Sequence, residues 1–545
     1  MASRNKTILI TFLSLCVLIF LSSCVFISTT YGSSSGRHKN VLFLAADDMR
    51  PNLGCYVNSH PAYTGPLMRT PHLDALAQKS LVFENAYSQQ ALCSPSRTSL
   101  LTGRRPDTTR VTDLVTYFRE FGGNFTTIPQ FFKDRGYYSV GGGKIFHHGM
   151  NASGFDDPIS WTEKFHHAQN FYPHDHTHNL SWQALGPNQF NNQPLQDTLE
   201  AEYMIQKLRE VAPNAKLGLQ PFFLAFGVHK PHLPFLFPRE YLDLYPEETI
   251  NVPTNQYAPN NLPDIAWSPF GELQSYYDTS KDAIDIPDLG HINVTYPSHK
   301  VKELRRAYYS ALSYADYSIG QVLTELKNLE LEDDTIIVFW SDHGWQLGEH
   351  AEWCKHTNFE IAAHVPLMIS IPGLTNNGVR STQLVELVDI FSTLVEATGF
   401  QPLEMCPPDS SEVSLCTEGS SLIPLIFDPN VSSWKRAVFW QYPRGGSHNH
   451  IPRCMGYSIR THQYHYTEWV SIKITELPKY EPDWDEQCGH YELYDLNIDP
   501  EENINWYENE DYIDLKKDLS RRLRAGWRNE VRNHSNEVQV TIDVV

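Results

Sequence analysis

Apolar residues along this chain follow two spacings, and each spacing predicts a kind of element. Short unbroken runs mark strands buried on both faces: NVLFLAADD (40–48), LVFENAYS (81–88), PFFLAFGVHKPH (221–232), which runs into a turn, and DDTIIVFWSDHG (333–344). Longer stretches with apolar residues every three or four positions mark helices: TPHLDALAQKS (70–80), TLEAEYMIQKLREV (198–211) and KELRRAYYSALSYADYSIGQVLTEL (302–326). TIPQFFKDRGYYSVGGGKIF (127–146) reads as a helix, a glycine stop and a strand. SPSRTSLLTG (94–103) reads as a helix starting just after Cys93, with Pro95 in its first turn. LVELVDIFSTLVEATG (384–399) places Leu384, Leu387, Val388, Phe391, Leu394 and Val395 on one helical face, with Gly399 as the stop. Strands alternating with helices predict an α/β domain with a large, mostly parallel central sheet.

The pattern changes between residues 400 and 430. PLEMCPPDSSEVSLC (402–416) is a loop rich in proline and serine. RAVFWQY (436–442), GYSIRTHQYHYTEWV (456–470) and HYELYDL (490–496) are strand-like, and YIDLKKDLSRRLRAGWRNEV (512–531) is a closing helix. They predict a small C-terminal α+β subdomain, an antiparallel sheet with one helix packed on it. The expected organisation is a leader over 1–36, a large domain over 37–428 and the subdomain over 429–545.

The leader is a cationic start, Arg4 and Lys6, followed by an apolar stretch over 8–27 and then small and polar residues. That is the pattern of a secretory signal peptide. The apolar stretch is also long enough to span a bilayer, so an uncleaved anchor stays open, and LSSC (21–24) separately resembles a bacterial lipoprotein cleavage box. Sequons at Asn124, Asn151, Asn179, Asn293, Asn430 and Asn533 agree with passage through a secretory lumen. An oxidising lumen would allow Cys406 to pair with Cys416 and Cys454 with Cys488.

Charge narrows the partners. The formal net charge is −21 at pH 7, which argues against a nucleic-acid binder. It does not argue against a polyanionic substrate, because a site needs only local positive charge. The chain carries 24 histidines, and at the ordinary pKa of about 6.5 most would be charged in an acidic compartment of about pH 5.

Functional groups collect where predicted strands end, which is where open α/β sheets bind ligands. The first strand ends in Asp47 and Asp48. Others lead to Lys144 and His147, to His229, Lys230 and His232, and to Asp342 and His343. Each alone reads equally as a turn or cap residue. Together, carboxylates with imidazole partners suit a hard cation such as calcium or magnesium, and lysines with histidines suit an anion. The helix start beside Cys93 offers backbone N–H groups to the same anion. Cys93 then stands where a nucleophile is wanted.

CSPSRTSLLTGR (93–104) resembles the signature of the sulfatase family, Cys-x-Pro-Ser-Arg followed by Leu-Thr-Gly-Arg. The likeness extends along nearly the whole mature chain, through LAADDMRPNLGCY (44–56), GKIFHHG (143–149), SDHGWQLGEHAEW (341–353), MGYSIRTHQYHYTEWV (455–470) and ELYDLNIDPEENIN (492–505). The resemblance implies an alkaline-phosphatase-like sandwich and a Cys93 converted to 3-oxoalanine (formylglycine) by a formylglycine-generating enzyme. It implies one calcium ion held by Asp47, Asp48, Asp342 and His343, with residue 93 completing the shell. Arg97 and Lys144 would hold the modified residue and the sulfate. His147 would be the base that collapses the sulfated intermediate. His229 and Lys355 would contact the sulfate and help protonate the leaving oxygen, and Trp345 would touch the sugar.

The implied substrate is a sulfated glycosaminoglycan, with the 2-sulfate of terminal iduronate in heparan and dermatan sulfate expected first, in a lysosome or outside the cell. Glucosamine-6-sulfate or another sulfated polysaccharide stays open. A phosphatase of the same superfold would carry Ser or Thr in place of Cys93. A non-catalytic glycan binder would lack one of the site groups, and none is missing. No nucleic-acid partner is expected, and a membrane only if the N-terminal segment is uncleaved. Segment 161–197 and HHG (147–149) depart from the family pattern and are expected to shape the substrate pocket.

Overall fold

The computed structural model describes residues 38–57, 63, 65–149, 153–168, 179–186, 194–445, 452–476 and 479–531. The expected leader over 1–36, the sequons at Asn151 and Asn533 and parts of segment 161–197 lie outside the described residues. The sequon residues Asn124, Asn179, Asn293 and Asn430 are all exposed. No helix among the described residues is long and apolar enough to cross a membrane.

The buried runs assemble as strands of one sheet: β1 (Asn40–Ala46), β2 (Leu81–Tyr87), β3 (Tyr138–Gly143), β4 (Phe222–Gly227), β5 (Thr335–Ser341), β6 (His364–Ser370) and β7 (Val379–Glu386). Their order is β7-β2-β6-β5-β1-β4-β3. β1 pairs in parallel with β4 and β5, and β3 with β4. Of the seven, β6 alone runs the other way, antiparallel to β2 and β5.

Alternation along β1 explains its unbroken apolar run. Val41, Phe43 and Ala45 enter one core, with Leu100 and Leu101 of helix α1 (Cys93–Thr102). Leu42, Leu44 and Ala46 enter the other, with Met204 and Leu208 of α2 (Gln196–Lys216) and Leu304 and Ile319 of α3 (Ser298–Asn328). Both faces are covered, so neither can be polar.

One element departs from its expected form. Leu384 is not helical: residues up to Glu386 belong to β7, pairing with β2 in the register Leu384 to Asn85 and Glu386 to Tyr87. The helix proper, α4, is Ile390–Ala397. The cause is a polar anchor inside the apolar run. Glu386 and Asp389 cap each other's backbone N–H groups, which turns the chain between strand and helix. The Glu386 carboxylate is also held by Arg105 and Lys435.

A separate antiparallel sheet follows: β8 (Val438–Arg444), β9 (Cys454–Arg460), β10 (Tyr464–Glu476) and β11 (Lys479–Asp495), paired in sequence order. The closing helix α5 (Ile513–Ala525) lays Leu519 and Leu523 on it. Disulfides join Cys406 to Cys416 and Cys454 to Cys488, the two pairs allowed by the sequence.

Candidate active site

The carboxyl ends of β1, β3, β4 and β5 converge. Asp47 and Asp48 follow β1, Lys144 follows β3, His229 and His232 follow β4, and Asp342 and His343 follow β5. α1 starts at Cys93: Leu92 is extended, its carbonyl accepts from Ser96 N–H, and Gly103 at φ 65° ends the helix. Cys93 Sγ lies 3.4 Å from His343 Nε2, 3.7 Å from Lys144 Nζ and 3.9 Å from Asp48 Oδ1.

Cations brace the carboxylates. Arg97 is fully buried. Its Nε donates to Asp342 Oδ2 at 2.8 Å, its Nη2 to Asp47 Oδ1 at 3.0 Å, and its Nη1 to the Lys144 and Ile145 carbonyls. Lys144 Nζ pairs with Asp47. Lys355 Nζ is 3.0 Å from both Asp48 oxygens.

The protonation pattern follows. Burial pushes the Asp47 carboxyl up, but Lys144, His232 and Arg97 outweigh it and hold the group well below its usual range. Burial wins at Asp48, helped by Asp47, Glu272 and Asp342 against Lys355, and its pKa rises well above normal. Burial also pushes the Cys93 thiol well above its ordinary value, against Lys144 and Lys355. The encoded cysteine is therefore a poor nucleophile at neutral or acidic pH.

These donors fit a hard divalent cation. Asp48, Cys93, Asp342 and His343 have ligand atoms within 4.8 Å of one another, as do Asp47, Asp48, Cys93 and His232. The two groups share Asp48 and residue 93. His343 Nδ1 lies 2.9 Å from the Gly344 carbonyl, which leaves the Nε2 lone pair facing the cluster. Burial lowers the His343 pKa to about 4, so the ring is neutral and able to ligate. Each group offers two carboxylates and a neutral imidazole, a set that accommodates calcium or magnesium.

The structure thus brings together Asp47, Asp48, Cys93, Arg97, Lys144, Asp342, His343 and Lys355. His229 stands beside them on the wall of a cavity of about 200 Å³, lined also by Asp47, Lys144, His148, Asp197 and His232. Its Nδ1 is 3.3 Å from Asp197 Oδ1, and its Nε2 is 3.0 Å from Gln196. His147 stacks on His148 with ring centroids 4.6 Å apart, and its buried Nδ1 has no hydrogen-bond partner among the described residues. Burial, then the Lys144 charge, lowers its pKa to about 2. Gln196 and Asp197, at the end of segment 161–197, line this cavity. A larger cavity, about 910 Å³, lies against Cys55, Tyr241 and Tyr317 and holds none of the site residues.

Trp345 corrects the expectation of a sugar contact. It is 1% exposed, and its ring lies 5.0 Å beneath Lys355 Nζ, so it supports the lysine from inside. Glu272, His356, Asp197 and Tyr442 were not anticipated. Glu272 bridges Lys355, His232 and His356. Burial raises its carboxyl, but the Lys355 charge and the hydrogen bond from His356 outweigh it and hold the group well below the usual range. It sits in an aperiodic stretch between two long helices, where no spacing marks it. Asp197 carried a weak signal as an acid in the first turn of α2.

Comparison with known proteins agrees with this geometry. The family model for sulfatases matches residues 39–400, and the model described as N-sulphoglucosamine sulphohydrolase, C-terminal, matches residues 348–529. The chain is 37% identical to iduronate 2-sulfatase of Homo sapiens over 554 residues, covering 91% of this chain and 96% of that protein. It is 31% identical to a sulfatase of Formosa agariphila over 382 residues, covering 66% of this chain and 69% of that one. A solved structure bound to D-glucosamine-2-N,6-O-disulfate superposes with a TM-score of 0.65 at 19% identity, covering 92% of this chain and 99% of that one. Phosphonate monoester hydrolase of Agrobacterium radiobacter superposes with a TM-score of 0.64 at 21% identity, covering 91% and 97%.

Proposed function

This chain belongs to the sulfatase family and hydrolyses sulfate esters, and from that premise we propose that its substrate is the 2-sulfate of terminal iduronate in heparan and dermatan sulfate. One observation carries the proposal. Position 93 meets an acidic, metal-ready cluster and two lysines in a chain similar to iduronate 2-sulfatases over nearly its full length.

The site groups fit a calcium ion held by Asp47, Asp48, Asp342, His343 and the residue at 93. Its charge would offset negative charge on the sulfuryl oxygens. The high thiol pKa at 93 fits a cysteine that a formylglycine-generating enzyme converts to 3-oxoalanine, whose hydrate offers one hydroxyl to take the sulfuryl group and a second to expel it. Lys144 holds position 93 and the sulfate from one side, and Arg97 keeps Asp47 and Asp342 in place. Lys355 and His229 contact the sulfate, and one of them gives a proton to the departing sugar oxygen. His147, neutral with its Nδ1 unpaired, takes the proton whose loss releases sulfate.

Residues 37–428 would carry the chemistry, with 429–545 as a supporting subdomain. The two disulfides and the exposed sequons support a glycoprotein of the secretory route, lysosomal or secreted. The test is sulfate release at about pH 5 from a heparan-derived disaccharide with terminal 2-sulfated iduronate, beside a glucosamine-6-sulfate disaccharide. Release from the first alone is expected. Release from the second alone would overturn the substrate assignment.

A further inference from the structure

Lys355 is mounted on an unusual loop. Cys354 and His356 on either side of it have φ of 72° and 78°, and His350 and Ala351 just before have 57° and 58°. Four non-glycine residues in the left-handed region within one short loop persist only where the surroundings hold them. Asn255 bonds His350 and Asp48 holds Lys355 from outside the loop, and two further side chains fix His356. Tyr442 of β8 bonds His356 Nδ1 at 2.7 Å. Glu272, in the short helix Gly271–Gln274, takes His356 Nε2 at 3.1 Å on one oxygen. Its other oxygen lies 3.2 Å from Lys355 Nζ and 3.4 Å from His232 Nε2.

We propose that Glu272 is a positioning residue that aims Lys355, and with it His232, at the oxygen through which the sugar departs. Lys355 has two carboxylate partners. Asp48 faces the metal-ready cluster with no exposure, whereas Glu272 is 24% exposed and lies on the open side. Asp48 and Glu272 together fix the lysine between the cluster and His232, which lines the cavity. As the S–O bond to the sugar breaks, sulfur is bonded to the nucleophile at 93 and the electron pair stays on the sugar oxygen. That oxygen takes a proton from the Lys355 ammonium, and the proton that the attacking hydroxyl gives up passes through solvent to restore the ammonium.

This inference rests on the sulfatase reading above, and its test separates the two. Holoenzyme carrying Glu272→Gln or Glu272→Asp is assayed on a 2-sulfated uronide and on its 3-fluoro counterpart, whose departing oxygen is less basic and needs the proton less. Glu272→Gln is expected to lower kcat on the ordinary ester about tenfold more than on the fluorinated one, within the range of a single general acid. Glu272→Asp, which keeps the charge, is expected to recover part of that ratio. Equal losses on both esters, or no recovery by Asp, would overturn the proposal. If Glu272→Gln melts early, His356→Gln is measured instead: a shift of the ratio in the same direction supports the proposal and no shift overturns it. Should the wild type ignore the uronide but cleave another sugar sulfate, the substrate assignment fails, and Glu272 is judged on the fluorinated partner of that sugar.

Discussion

Position 93 separates two ideas about the nucleophile. A thiol with its pKa pushed up by burial is protonated at every working pH, so the encoded side chain has little to attack with. The peptide containing residue 93, from active protein, should therefore show an aldehyde mass. An intact thiol there would end the modification claim. Cys93→Ser should melt near the wild-type temperature, because one small polar group replaces another at the start of α1, yet it should lose repeated turnover. Steady sulfate release by that variant would remove the need for a second hydroxyl. His147→Ala should lower kcat about 100-fold, the span of one lost general base, while still giving a first burst of desulfated sugar. A proportional loss of burst and steady rate would place His147 elsewhere in the cycle. Most site residues were legible in the sequence because each ends a recognisable strand: Asp47, Lys144, His229 and Asp342 all sit one or two positions past an apolar run. Glu272 and Tyr442 reach the same place from a one-turn helix in an aperiodic stretch and from a distant sheet. Nothing local marks such residues, because their role is made by tertiary contact.

At the scale of elements, the strand-to-helix switch at residues 379–397 shows what spacing alone misses. Leu384 to Val395 satisfies a helical period, yet the first part is pulled into the sheet by pairing with β2 and by the buried Glu386 anchor. Glu386 joins Arg105, after α1, to Lys435, just before β8, so one carboxylate ties the site helix to the C-terminal sheet. Its removal strands the buried Arg105 and leaves Lys435 with Asp389 alone, and Glu386→Ala should cost about 3 kcal/mol in urea unfolding, the usual scale for a broken buried pair. A cost below about 1 kcal/mol would mean that Asp389 alone satisfies Lys435 and that water reaches Arg105. The sign with pH is also defined. Burial raises the Glu386 pKa, but Arg105 and Lys435 bring it down to about 2. A carboxylate depressed in the folded state stabilises above its unfolded pKa of about 4.3 and loses that contribution as pH falls through the folded value. This link is thus intact at about pH 5, and the acid transition of wild type between about pH 4 and 2 should be shallower in Glu386→Ala.

For the whole molecule, composition misleads in one respect. The 24 histidines suggest that most of the −21 charge is cancelled near pH 5. In the fold, burial holds His147 near a pKa of 2 and His148, His167 and His343 near 4, and it lowers His229, His232 and His356 as well. These rings cluster at the carboxyl end of the sheet, so the site keeps neutral imidazoles just where the sequence expects cations. The positive charge that the site carries comes instead from Arg97, Lys144 and Lys355. The folded protein should therefore take up fewer protons between pH 7 and 5 than its unfolded chain, which potentiometric titration in buffer and in denaturant would measure. The linkage sign follows: where the unfolded chain binds more protons, stability rises with pH. These histidines make the fold less stable at pH 5 than at pH 7, in the window between their folded values and about 6.5. A ligand that binds only the folded chain acts the other way by mass action. Calcium should accordingly raise Tm at pH 5, and a chelator should lower it, with a smaller effect on Asp342→Asn. A Tm independent of calcium in both proteins would show that Arg97, Lys144 and Lys355 balance the buried aspartates without a metal.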